Sequence, residues 1–168
     1  MNTLPDKDQL IRSLNLQPHP KEGGYYRRTY QSGQVMSAFG GERHLMTSIF
    51  YLLTTDHPIG FLHRNRSDII HYFHLGGPTE YLMISPQGEI SHAVIGPDVL
   101  AGHQLQLLVP GGYWKASRLL GGPYSLISEA VSPGFDYADN QLACRDDISA
   151  LNVARQEEIL PWLKPEDA

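Results

Sequence analysis

The side chains best suited to chemistry cluster in one stretch of the sequence, His63-Arg64-Asn65-Arg66-Ser67-Asp68, followed by His71 and His74. Imidazole has an unperturbed pKa of about 6.5, so a histidine held in a cavity can take up and return a proton near neutral pH. Alternate residues share one face of a strand, which groups Ser67, Ile69, His71 and Phe73 and turns His74 the other way. His71 is thus a pocket candidate and His74 a surface residue. Glu129 stands among Ser128, Ala130 and Val131. A carboxylate there is either buried and paired or open to a pocket, because burial alone is expensive. Asp68 has the opposite parity to His71 and suits a structural hydrogen bond. Tyr25, Tyr26 and Tyr30 are interleaved with Arg27 and Arg28, an amphipathic strand that lines something on one of its faces. Lys115 either reaches a ligand or lies along Trp114 with its ammonium at the rim.

Four motifs occur in a fixed order: Glu22-Gly23-Gly24-Tyr25-Tyr26, His63 through Gly76, Val109-Pro110-Gly111-Gly112-Tyr113-Trp114, and Val131-Ser132-Pro133-Gly134-Phe135-Asp136-Tyr137-Ala138-Asp139. With them the chain resembles the cupin subfamily called domain of unknown function 985, or cupin family 5, from about Leu10 to about Leu163. The resemblance implies an all-β fold, the double-stranded β-helix or RmlC-like jelly-roll barrel, as a single domain over residues 1–168. A short N-terminal helix and a C-terminal helical tail complete it. General cupins carry His-x-His, then Glu and Gly, and later Pro-x-Gly-x-x-His, a set that suits Fe, Mn, Zn, Cu or Ni. Here His63 keeps the first position, while Asn65, Ile69 and Lys115 fill the other three. No metal and no other cofactor is expected from these residues; a metal would have to recruit His71 and Glu129.

Metal-free cupins include sugar-nucleotide epimerases and isomerases, to which this subfamily is similar at His63. That likeness implies His63 as the base that removes a proton beside a carbonyl and Tyr113 or Tyr26 as the acid. Lys115 or Arg28 would hold an anionic group or a developing enolate. The expected catalytic set is His63, Tyr113 and Lys115. Expected ligand contacts are Tyr26, Arg28, Asn65, His71, Gln106 and Glu129. Two other readings stand beside this one. His63 can be structural in a binding module without chemistry, or an altered ligand set can serve a metal enzyme.

Short elements must position these groups. Asp6 can cap a helix running to about Leu14, with Leu10, Ile11 and Leu14 on one face. Pro18 and Pro20 end it, and a strand begins at Tyr25. Strands are expected at His44 to Leu53, Ile59 to His63, Ser67 to Leu75, Glu80 to Ile84, Ile90 to Ile95, Leu105 to Val109, Trp114 to Leu119 and Tyr124 to Val131. Turns such as Gly76-Gly77-Pro78 and Pro110-Gly111-Gly112 separate them. The tail from Cys144 to Leu163 is expected to be helical, with Leu151, Ile159 and Trp162 available for docking.

The composition excludes several partners. A net charge of −5 with scattered Lys and Arg offers no basic stripe for nucleic acid. No apolar run approaches the ~20 residues of a membrane helix, and the start of the chain, Met1-Asn2-Thr3-Leu4-Pro5-Asp6, lacks the pattern of a signal peptide. With Cys144 as the one cysteine, no intramolecular disulfide is possible, which suits a reducing cytoplasm. The expected partners are a small-molecule ligand and a second copy of the chain in a homodimer. Trp162 and the strand from His44 to Leu53 are the surfaces expected to meet that copy.

Overall fold

A capping box opens the first element. In the computed structural model, which describes residues 4–151 and 156–165, Asp6 Oδ1 accepts from Gln9 N at 2.8 Å and Gln9 Oε1 accepts from Asp6 N at 2.9 Å. This fixes helix α1 (Lys7–Ser13). Leu10 is the buried residue of the helix, and with Leu16 it packs on Leu52, Tyr124 and Leu126. Turn residues break most of the remaining chain into strands, beginning with β1 (Gln17–Pro18), β2 (Tyr25–Gln31), β3 (Val35–Ala38), β4 (Gly41–His44) and β5 (Thr47–Thr54). The middle of the chain forms β6 (Ile59–Asn65), β7 (Asp68–Gly76), β8 (Thr79–Ile84) and β9 (Ile90–Ile95). The last strands are β10 (Gln106–Val109), β11 (Trp114–Leu119), β12 (Tyr124–Ser132) and β13 (Asn140–Leu142).

The strands form an antiparallel six-stranded sheet ordered β1-β2-β5-β12-β7-β10 and a five-stranded sheet ordered β13-β6-β11-β8-β9. The β3-β4 hairpin stands apart. This is the all-β jelly roll, built as two facing sheets. Side-chain alternation separates its layers. Tyr51, Leu53 and Ile127 point between the sheets toward Tyr81 and Met83, while Leu52 and Leu126 point outward to α1. On the second sheet Leu62, Leu82, Ile84, Trp114 and Ala116 point outward to a cover made by Ile148, Ile159 and Trp162. The same parity turns His63, Lys115 and Ser117 inward.

Some expected elements are revised. The strand expected from His44 starts at Thr47, because His44 belongs to β4 and pairs with Val35. The helical tail is made of short pieces: α2 (Arg145–Ala150) is followed by single turns at 156–158 and 160–162, the second containing Pro161. Residues 152–155 of the expected tail lie outside the described residues. Of the surfaces expected to meet a second copy, Trp162 is covered within the chain and β5 has both edges paired. Trp162 is buried beneath Arg118, whose guanidinium lies 4.7 Å from the ring centre, and β5 sits between β2 and β12. Among the described residues no helix is long and apolar enough to cross a membrane.

Candidate functional site

A cavity of about 410 Å³ opens at one end of the space between the sheets. Its wall on the six-stranded sheet is Tyr26 and Arg28 of β2, Thr47 and Ile49 of β5, Ile69 of β7, and Glu129 and Val131 of β12. Facing them are His63 of β6 and Asn140 of β13. Gln17 of β1 adds to it, and two loops complete it: His19 and Glu22 before β2, and Phe135, Asp136 and Tyr137 after β12.

Each loop is held by backbone contacts. Glu22 O accepts from Phe61 N at 2.7 Å, and Tyr51 donates to Gly23 O at 2.8 Å. Gly23 and Gly24 both have positive φ, and a Cβ on them would lie 2.5 Å from Ile59 O and 2.7 Å from Leu52 O. Glycine is therefore required for the loop to press against β5 and β6. The second loop is anchored where Phe135 N donates to Thr47 Oγ1 at 2.8 Å and Gly134 N donates to His44 O at 2.7 Å. Arg43 binds the buried Asp139 with two hydrogen bonds, of 2.6 and 2.9 Å.

Two clusters of ionisable groups occupy the cavity and the layer beneath it. At the wall, His63 Nδ1 donates to Phe61 O at 2.6 Å, since a carbonyl can only accept. Its Nε2 then faces the cavity and lies 3.4 Å from Glu22 Oε2. Asn140 Nδ2 donates to Glu22 Oε1 at 3.1 Å, and His19 Nε2 lies 3.5 Å from Oε2. Beneath the floor, Lys115 Nζ donates to Glu129 Oε1 at 3.1 Å and to His71 Nε2 at 3.2 Å. An ammonium has no lone pair, so His71 carries its proton on Nδ1, which points at Glu129 Oε1 (3.3 Å) and the Tyr81 hydroxyl (3.2 Å).

Charge follows from this wiring. Burial and the Lys115 ammonium push the His71 pKa down to about 4. Burial by itself would raise the Glu129 carboxyl, but Lys115 and the Nδ1–H of His71 outweigh it and hold the group well below the usual carboxylate range. Burial keeps the Tyr51 and Tyr81 phenols protonated far above their ordinary value. A pH dependence of stability results. His71 binds a proton less readily folded than unfolded, so stability is complete above about pH 6.5. It falls by roughly 3 kcal/mol as pH drops toward about 4. Glu129 adds a further decline below its ordinary value of 4.5. Urea midpoints measured between pH 7.5 and 4.5 should show this slope, and His71→Gln should flatten it down to that lower limit. An equal slope in the variant would assign the effect elsewhere.

A divalent cation does not fit at His71 and Glu129. The Lys115 ammonium is hydrogen-bonded to both the imidazole and the carboxylate that a metal would have to recruit there. Among the described residues no group of three or more His, Cys, Asp or Glu is arranged to hold a metal.

The sequence-derived candidates divide three ways. His63, Tyr26, Arg28 and Glu129 line the cavity. His71 and Lys115 lie directly behind Glu129, with Lys115 only 4 % exposed, so its ammonium is paired in the interior and is not at the rim. The other three stand elsewhere. Asn65 is buried, and its Oδ1 accepts from Ser67 N. Tyr113 packs against the apolar plug between the sheets. Gln106 is exposed on edge strand β10, because Leu107 and Val109 take the inward parity. Sequence reasoning missed His19, Glu22, Tyr137 and Asn140 as cavity residues. Their available signals were the rigid Pro18-His19-Pro20 and the loop-forming Glu22-Gly23-Gly24.

Known proteins share this architecture. A protein of Saccharomyces cerevisiae, YML079W, is 39% identical, over 79% of this chain and 72% of the yeast chain. A solved structure from Leishmania major superposes with a TM-score of 0.88 at 31% identity, covering 96% of this chain and all of that one. Protein SO0799 of Shewanella oneidensis gives 0.86 at 34% identity, over 97% of this chain and 100% of its own. The family described as Cupin superfamily (DUF985) matches residues 8–143, and the chain belongs to it.

Proposed function

We propose that this protein is a metal-independent acid–base catalyst, an isomerase or epimerase, acting on a small hydroxylated carbonyl compound of sugar or keto-acid type. The observation that carries this reading is the His63 imidazole. One nitrogen is tied to the Phe61 carbonyl, and the other is open to the cavity beside the Glu22 carboxylate. That is how a general base is held: one tautomer, one free lone pair, and an anion close enough to stabilise the imidazolium once it forms.

In the proposed reaction His63 Nε2 takes the proton from the carbon next to a carbonyl. The electron pair of the broken C–H bond moves onto the carbonyl oxygen as an enolate. The acid is the pair Tyr26 and Tyr137, which line the cavity together, with the Tyr137 phenol holding its proton above its ordinary range through partial loss of hydration and the nearby Tyr26 and Glu22. It steadies the enolate oxygen, and return of a proton to the opposite face of the same carbon gives the epimer; where that carbon carries a hydroxyl, passage of the hydroxyl proton to the enolate oxygen and protonation of the former carbonyl carbon gives the isomer. Among the described residues Arg28 is the one Arg or Lys lining the cavity, while Glu22, Glu129 and Asp136 bring three carboxylates. This balance favours a ligand that presents hydroxyl donors to the floor and at most one anionic group to Arg28. Glu129, held ionised by Lys115, is an acceptor for such a hydroxyl.

The alternative is a binding module in which the same groups hold a ligand without transforming it. Keto sugars and 2-keto acids, screened by NMR first for binding and then for deuterium uptake from D2O, separate the two. The proposal expects a bound ligand to gain deuterium beside its carbonyl; ligands that bind and never exchange would establish the binding module instead.

A further inference from the structure

The two imidazoles beside Glu22 are wired in opposite senses by backbone atoms. His19 Nδ1 accepts the backbone N–H groups of Lys21 at 3.2 Å and Glu22 at 3.0 Å. The ring proton therefore sits on Nε2, 3.5 Å from Glu22 Oε2. A second proton has no place on His19, because it would set a third N–H against two donors. Burial works in the same direction and lowers the His19 pKa, against the attraction of Glu22. His63 has the reverse wiring: Nδ1 donates to Phe61 O, and Nε2 is free, 3.4 Å from the same Glu22 oxygen. If His63 is protonated, both of its N–H groups have acceptors in place.

We propose that His19 is a positioning residue, a permanently neutral imidazole whose Nε2–H holds Glu22 Oε2 turned toward His63 and leaves His63 to take the proton. The inference rests on the acid–base reading above and adds a residue to it. Asn140 Nδ2 holds the other carboxylate oxygen at 3.1 Å, so each oxygen of Glu22 has its own fixed neighbour. His19 is itself fixed. Pro18 and Pro20 restrict the chain on both sides, its N–H donates to Gly24 O at 2.9 Å, and its ring packs on Tyr26 with centroids 4.6 Å apart.

Two substitutions separate this role from simple anchoring of the loop. Asn reproduces the Nδ1 acceptor but does not reach Glu22, whereas Gln reproduces the Nε2 donor but gives the backbone N–H groups no acceptor. Long-range 1H–15N spectra of the labelled full chain read the ring states directly. His19 should show a protonated Nε2 and a bare Nδ1 from about pH 5.5 to about pH 8.5. The His63 Nε2 resonance should move in His19→Asn and stay in place in His19→Gln. Deuterium exchange of a bound ligand should fall about 10-fold in His19→Asn and stay within about 3-fold of the parent in His19→Gln. A purely structural residue gives the reverse order, with His19→Asn resembling the parent and His19→Gln impaired, and that result overturns the proposal. So does an Nδ1-protonated His19. The nitrogen spectra decide the matter without a substrate, so a parent protein that exchanges nothing counts against the catalytic reading alone.

Discussion

Lys115→Met should lower folding stability by about 3–5 kcal/mol, the loss expected when one member of a buried ion pair is removed and its partner stays. The partner is Glu129, whose Oε1 receives the ammonium at 3.1 Å and whose side chain is only 10% exposed. Lys115 also supplies the donor to His71 Nε2, so the same change leaves a second buried atom without a partner. Equilibrium unfolding in urea at pH 7.5 measures the effect. Adding Glu129→Leu to Lys115→Met should restore much of the loss, because the stranded carboxylate is gone. A single variant within about 1 kcal/mol of the parent would mean that water reaches Glu129 and that the pair is not a buried one.

His63→Gln should reduce deuterium exchange of a bound carbonyl ligand by roughly 100-fold or more while sparing its affinity. Glutamine keeps a polar group of similar reach on β6 but cannot accept and release a proton near neutral pH. The opposite pattern, undiminished exchange or weakened binding alone, removes His63 as the base. Because His63 is buried at 6 % exposure, the stability of the variant should be measured alongside, so that loss of exchange is not loss of fold.

Much of the fold was legible because strand alternation and turn residues are local signals. The spacing placed Ile69 and His71 on one face of their strand and His74 on the other, and the structure buries the first two and leaves His74 exposed. The β3-β4 hairpin and β13 were not foreseen. β13 is three residues long and exists through its pairing with β6. Of the cavity lining, His63, Glu129, Tyr26 and Arg28 were named in advance, all on strands, although the sequence did not tell which face of the Tyr25 to Tyr30 strand would line it. Gln106 fell on the wrong side although the apolar Leu107 and Val109 marked the inward parity of β10. His19 and Glu22 were missed for a different reason. Their meeting with His63 joins a loop to a distant strand, and no periodicity within either segment encodes that approach. Lys115 was seen as a pocket or rim residue because its partner, Glu129, lies on the other sheet.

Chemistry beside His63 should proceed without a metal, and deuterium uptake by protein stripped with a chelator measures this directly. The protein is dialysed against the chelator, its Fe, Mn, Ni, Zn and Cu content is determined, and the bound carbonyl ligand is followed by NMR in D2O. Exchange should continue at the parent rate with metal below about a tenth of an equivalent, and added metal should not raise it. Exchange that disappears on chelation and returns with one of these metals would contradict it.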